Sequence, residues 1–181
     1  MVVKSVKECN GLPVGNAVIE FSGTDHNGNE ILLSDLLKKG KVVVVFYRGQ
    51  WCPICMPHLR KLQEDLKEIE DKGASLIIIT PEKQENIKKT MLKTSITVPI
   101  IYDDNYKIML QFDVAFIPGR GLRFMYNTML RANLINAQSD DSQTLSVPAT
   151  FIIDTDGKVI WRHFNRDYKK RSKVKEILNQ L

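Results

Sequence analysis

Only three cysteines occur in the 181 residues, too few for a disulfide scaffold. Runs of Pro, Ser or Gln that would mark a disordered linker are missing as well. With 43% hydrophobic and 26% charged residues, the composition is that of a globular chain. No apolar run approaches the roughly 20 residues a membrane-crossing helix needs; the longest, Val42 to Tyr47, stops far short, so no membrane span is expected. A secretory leader, with its basic start, apolar segment and small-residue cleavage site, is not visible either. Residues 1 to 16 alternate Val with Lys and then turn polar, which points to the cytoplasm, or to the periplasm if a leader has been removed. A chain of this length can bury a core without staples, and one domain over residues 1–181 is the expectation.

What the chain has in excess is positive charge, 26 Lys and Arg against 21 Asp and Glu. Much of the excess lies near the end, where Arg162, Arg166, Lys169, Lys170, Arg171, Lys173 and Lys175 crowd together. No nucleic-acid motif accompanies them, so the run reads as the solvated face of a terminal helix and no nucleic-acid partner is expected.

The apolar pattern alternates between two kinds of segment. Lys41 to Tyr47 is a β-branched run without helical periodicity, the mark of a central strand buried on both faces. Similar strands are read at Ala74 to Thr80, Val98 to Tyr102 and Ala149 to Asp154. Between them, Leu59, Leu62, Leu66 and Ile69 step by three and four along a helix from Pro57 to Ile69, with Gly73 as its stop. Thr80-Pro81-Glu82 looks like the opening of a second helix, running to Lys93: a cap, a proline at the first position and an acid in the first turn. Asp25 to Gly28 and Asp154 to Gly157 read as hairpin turns, the latter making Lys158 to Phe164 antiparallel to the strand before it. The elements predict an α/β chain, a mixed central sheet sandwiched by helices, with an N-terminal hairpin. A long connection from 103 to 147 holds Pro118 to Gly121 and then Leu122 to Leu134; it reads either as an active-site cap or as an ordinary surface helix packed by Leu122, Met125, Met129 and Leu130.

Chemistry concentrates in Phe46 to Cys55, a buried strand, a short loop and two cysteines three apart at a helix start. There, free backbone N–H groups and the helix dipole favour a thiolate on Cys52, and Cys55, one turn on, can resolve a mixed disulfide. Pro53 presets the helical φ while removing one donor. Cys52, Cys55 and His58 also spell C-x2-C-x2-H, but a structural zinc site wants four ligands and no second pair follows. No metal or other cofactor is therefore expected, and His58 reads as a helix-surface residue. Cys9 lies before the first strand with nothing nearby to activate it, and is expected to be dispensable for turnover.

Trp51-Cys52-Pro53-Ile54-Cys55 resembles the active site of thioredoxins, and Val147 to Asp154 resembles the segment carrying their cis-proline, which Pro148 matches. The wider frame, from Gly11 onward, resembles the CxxC-containing peroxiredoxin-like branch of the alkyl hydroperoxide reductase and thiol-specific antioxidant family. Tyr47 to Pro53, Pro148 to Asp154, and Asp167-Tyr168 with Arg171 carry that likeness. The resemblance implies a thioredoxin-like fold with an inserted helical segment. On the peroxiredoxin pattern P-x-x-x-T-x-x-C, the attacking cysteine falls at Cys55, the threonine at Cys52 and the proline at Arg48. The family's arginine falls at Pro148, so the hydroxyl and guanidinium that would polarise a peroxide bond are both replaced. Arg48 is the neighbour able to stand in, unless it is only a surface or C-cap arginine.

The expectation is thus a thiol-disulfide oxidoreductase in a peroxiredoxin-like shell: Cys52 attacks, Cys55 resolves, Pro148 orients the substrate and Trp51 shields the site. The alternative is a thiol peroxidase in which Cys55 attacks a hydroperoxide and Cys52 condenses with the sulfenic acid. A third reading is a copper or zinc carrier. Either enzyme needs a protein or small-molecule disulfide, or a hydroperoxide, as substrate, and a thiol reductant the sequence does not name.

Overall fold

A computed structural model describes residues 4–181; Met1 to Val3, part of the segment read above for targeting features, lie outside the described residues. In chain order the elements are β1 (Ser22–Thr24), β2 (Glu30–Leu32), α1 (Leu33–Leu37), β3 (Val42–Phe46), α2 (Cys55–Glu64), α3 (Leu66–Asp71), β4 (Ser75–Thr80), α4 (Gln84–Thr94) and β5 (Ile100–Tyr102). There follow α5 (Lys107–Gln111), β6 (Ala115–Phe116), α6 (Arg120–Thr128), α7 (Leu134–Ala137), β7 (Leu145–Ser146), β8 (Ala149–Ile153), β9 (Val159–Phe164) and α8 (Val174–Leu178).

Five strands form the main sheet in the order β5-β4-β3-β8-β9. The all-buried run Val42 to Phe46 takes the centre, because only a strand covered on both faces hides every one of its side chains. It runs parallel to β4, with Val44 opposite Ile77, and antiparallel to β8, with Val44 opposite Phe151. β9 returns antiparallel to β8 through the Asp154 to Gly157 turn, and β1 and β2 form the separate hairpin expected at Asp25 to Gly28. Phe46, Phe112 and Phe151 meet with ring centroids 4.9 to 5.9 Å apart, tying the central strands to the end of α5. The mixed sheet flanked by helices is the one the apolar pattern predicts.

Four local readings need correction. The helix expected from Pro57 to Ile69 begins at Cys55 and breaks at Asp65 (φ −99°, ψ 10°), where Lys61 holds the carboxylate at 3.0 Å and the chain re-aims to bury Leu66 and Ile69. Thr80-Pro81-Glu82 does not open a helix: Thr80 ends β4, Glu82 turns into the interior, and α4 starts only at Gln84. Burial of one carboxylate beneath a loop has overridden a local capping preference. The strand read from Val98 begins at Ile100. The basic run is not the face of a terminal helix either, since α8 covers only Val174–Leu178. Arg162 instead donates to the carbonyls of Asn10, Gly11 and Leu12, and Arg166 donates to that of Cys9, so both tie the N-terminal segment to the sheet edge.

No helix among the described residues is long and apolar enough to cross a membrane.

Candidate active site

β3 delivers the site. Tyr47 continues the strand, fully buried, with its hydroxyl 3.0 Å from Thr90 Oγ1 on α4. Arg48 to Trp51 then form a tight loop closed by a hydrogen bond from Cys52 N–H to Gly49 C=O at 3.1 Å. Gly49 sits at φ +154°, and a side chain there would collide with Trp51 Nε1 at 2.5 Å and Glu82 Oε1 at 2.7 Å. Glu82 underpins this loop: its Oε2 accepts the Gln50 N–H at 2.7 Å, while Oε1 and the Trp51 indole N–H are buried without partners. Burial pushes the Glu82 carboxyl up to about 8, against the pull of the Gln50 N–H, Lys89 and Lys93.

Cys52 and Cys55 form a disulfide, with Cα atoms 5.3 Å apart. Cys55 is the first residue of α2, and Cys52 lies one turn before the helix. Neither sulfur is open to solvent: Cys52 is 0% and Cys55 1% exposed. The long insertion packs beside the dithiol, as the cap reading requires: its helix α6 lays Tyr126 against Trp51, the residue before Cys52, with ring centroids 5.0 Å apart.

One guanidinium contacts the dithiol and a second packs on Trp51 next to it. Arg171 Nη2 donates toward Cys55 Sγ at 3.3 Å and lies 4.0 Å from Cys52 Sγ. A guanidinium thus reaches the dithiol from the loop before α8, a contact the sequence reading missed. Arg171 was visible there as one of the basic residues of the tail and, with Asp167-Tyr168, as part of the family likeness, but not as a neighbour of Cys55. Burial and the charge of Arg48 bring its pKa down to about 10. Arg48 itself is 2% exposed, neither a surface nor a C-cap residue. It stacks 4.5 Å from the Tyr126 ring centroid, 4.7 Å from that of Tyr168 and 5.0 Å from that of Trp51.

His58, expected on the helix surface, is instead turned inward. Its Nε2–H donates to the Ser172 carbonyl at 3.1 Å, next to Arg171, and the Ser172 hydroxyl pairs with Thr150 at 2.8 Å. Burial and the nearby Arg171 charge lower the His58 pKa to about 4, so the ring is neutral at neutral pH. Pro148 is buried beside this cluster, lining a narrow gap with Phe46, His58 and Arg171. The cis geometry expected there is absent, as no peptide among the described residues is cis. Val147 and Pro148 join β7 to β8, and the Val147 N–H bonds to Val114 C=O at 2.7 Å. Cys9 is far from this chemistry: it is wholly buried, its thiol donates to Ala115 C=O at 3.3 Å, and burial pushes it up to about 11. Among the described residues, no three of His, Cys, Asp and Glu gather closely enough to share a metal ion.

A dithiol between the central strand and the first long helix of a thioredoxin-like sheet defines a thiol-based oxidoreductase of peroxiredoxin-like type. The chain belongs to the AhpC/TSA family, whose model matches residues 14–162. It is similar to peroxiredoxin Bcp of Escherichia coli K12, 25% identical over 172 residues that cover 95% of this chain and 97% of that protein. It is also similar to the thiol-disulfide oxidoreductase ResA of Bacillus cereus, 26% identical over 164 residues, covering 88% and 75% respectively. Among solved structures, peroxidoxin BcpB from Mycobacterium tuberculosis superposes with a TM-score of 0.70 at 23% identity, over 93% of this chain and 96% of that one. A peroxiredoxin-like protein from Aquifex aeolicus gives 0.71 at 18% identity, over 96% and 88%. The two structural likenesses concern the fold.

Proposed function

We propose that this protein is a thiol peroxidase in which Cys55 attacks a hydroperoxide and Cys52 resolves, reversing the order the dithiol alone suggests. The observation that carries this is the Arg171 guanidinium 3.3 Å from Cys55 Sγ, on the cysteine that takes the attacking position of the peroxiredoxin pattern. In reduced protein the positive guanidinium and the first turn of α2 favour a thiolate on Cys55. That thiolate attacks the outer oxygen of R–O–OH; the O–O bond breaks, Cys55 becomes a sulfenic acid, and the departing RO⁻ takes up a proton as ROH. Cys52 thiol then condenses with the sulfenic acid, releasing water and forming the disulfide. Two equivalents of an external thiol reductant restore the dithiol.

Donors aimed at charge that develops in the transition state contribute about 10²- to 10³-fold each. Arg171, helped by Arg48, supplies that role here. His58 holds the Ser172 carbonyl and so fixes the backbone next to Arg171. Similarity to Bcp over nearly the whole chain supports the peroxidase reading, whereas the likeness to ResA favours thiol-disulfide exchange as a second activity of the same pair. The proposal further takes residues 1–181 as one domain acting in the cytoplasm; a single hydrophobic core running from Cys9 to Ile177 supports the one-domain part. Reduced protein mixed with cumene hydroperoxide should consume one peroxide per disulfide formed and turn over with dithiothreitol. A dithiol that outlasts excess peroxide rules this out.

A further inference from the structure

Among the described residues, Arg48 has more buried, unpartnered polar atoms than any other charged side chain. It is 2% exposed, its Nε and Nη2 have no hydrogen-bond partner, and no ion pair among the described residues involves it or Arg171. Leaving a buried charge unpaired is costly. The three rings around Arg48 attract the cation through their faces, but they offer no acceptor to N–H groups at the edge of the guanidinium. Arg171, close enough to repel it, is likewise buried with an unpartnered Nε. Two buried cations that repel one another, with no carboxylate among the described residues paired with either, call for an anion from outside.

The same arginine lines a cavity of about 190 Å³. Trp51 and Pro53, the residues on either side of Cys52, form one wall, and Met125, Met129 and Leu130 of the inserted segment form another. A dry cavity of about 150 Å³ lined by apolar side chains holds one benzene ring, so this one admits an aromatic ring or a short alkyl chain. Methionines suit such a wall because their side chains adapt to the shape presented.

We propose that this cavity is a binding site for an organic carboxylate: Arg48 pairs with the carboxylate and the Trp51, Met125, Met129 and Leu130 wall takes the apolar body. Resting on the peroxidase reading above, this makes the substrate an organic hydroperoxide that carries a carboxylate about one ring away from its O–O bond. The paired anion offsets the repulsion between the two guanidiniums and leaves Arg171 to the reacting sulfur. A hydroperoxide lacking the anion would gain only the apolar contacts.

Two matched pairs of compounds test this. In calorimetric titrations of wild-type protein, 4-isopropylbenzoate should bind at least tenfold more tightly than 4-isopropylbenzyl alcohol. Likewise 4-carboxycumene hydroperoxide should show a kcat/KM at least tenfold above that of cumene hydroperoxide, chiefly through KM. In Arg48→Met both ratios should fall toward one, whatever the variant does to either compound singly, and Arg48→Lys should keep part of them. Lys175→Met, which removes an exposed cation, should keep both in full. Equal binding of acid and alcohol by wild-type protein overturns the proposal, and so does a ratio that falls as far in Lys175→Met, because the net charge would then explain it. If the acid binds preferentially but no hydroperoxide is reduced, the carboxylate site stands and the peroxidase reading falls.

Discussion

Arg171 Nη2 lies 3.3 Å from Cys55 Sγ although the two residues are 116 positions apart in the sequence. That contact distinguishes the two sulfurs, since Cys52 Sγ is farther away at 4.0 Å. It is the environment that the proposed nucleophile, the second cysteine of the pair, needs.

Removing that guanidinium should slow the oxidative half-reaction rather than unfold the protein. Arg171→Gln is expected to lower the second-order rate of Cys55 oxidation by hydroperoxide about 100-fold, the usual effect of losing one aligned charged donor. Arg171→Lys should recover part of it. Stopped-flow tryptophan fluorescence on reduced protein measures both, and an unchanged rate in Arg171→Gln would leave the contact without a catalytic role.

Glu82 ties stability to pH. Its folded value of about 8 lies above the ordinary 4.5, so between those values the native state keeps a proton that the unfolded chain has lost, and stability falls as pH rises. His58 works in the opposite sense: its folded value of about 4 lies below the ordinary 6.5, and its contribution is lost as pH falls through that range. Asp103, pushed up to about 6 by burial, also titrates below 6.5. From pH 6.5 to 8 Glu82 dominates, and the wild type should lose about 1 kcal/mol, less than the full slope of about 1.4 kcal/mol per pH unit because Glu82 is half-titrated at 8 and unfolded His58 still gives up part of its proton above 6.5. Urea titrations at the two pH values should show this loss, and Glu82→Gln should abolish it; equal losses in both proteins would place the titrating group elsewhere.

Gly49 has no room for a methyl group. Gly49→Ala would drive a Cβ against Trp51 Nε1 and Glu82 in a backbone conformation that L side chains rarely adopt. A loss of about 3 kcal/mol in stability and a shift in Trp51 emission are expected. A variant as stable as the wild type would show that the loop relaxes freely.

Cys9→Ser should complete the redox cycle at the wild-type rate, because the Cys9 thiol is buried against Ala115 C=O and burial keeps it protonated at neutral pH. Steady-state turnover with a thiol reductant checks this. A stalled cycle would make Cys9 a resolving thiol.

What the sequence revealed follows from range. The β-branched run Val42 to Phe46 and the turns at Asp25 and Asp154 are local signals, and each became the expected strand or hairpin. The pair Cys52 and Cys55 is local too. Arg171, Tyr126 and Tyr168 reach the site through tertiary packing: Arg171 and Tyr168 stood out only through the family likeness, Tyr126 sits in a long insertion, and no local signal tied any of them to the dithiol. Glu82 shows the converse, a residue whose local pattern promised a helix start but whose side chain was drawn under the Gly49 loop. The thioredoxin-like spacing favoured Cys52 as nucleophile because the guanidinium that favours Cys55 comes from the far end of the chain.

The central claim rests on which sulfur meets the oxidant, and the single-cysteine variants decide it. Reduced Cys52→Ser, mixed with a hydroperoxide and read by mass spectrometry, should react rapidly and stop at a sulfenic acid on Cys55, one oxygen heavier than the thiol. Cys55→Ser should stay reduced under the same conditions. The contrary result is an inert Cys52→Ser together with a Cys55→Ser variant that traps a mixed disulfide through Cys52, which would return the protein to thiol-disulfide exchange with Cys52 as nucleophile.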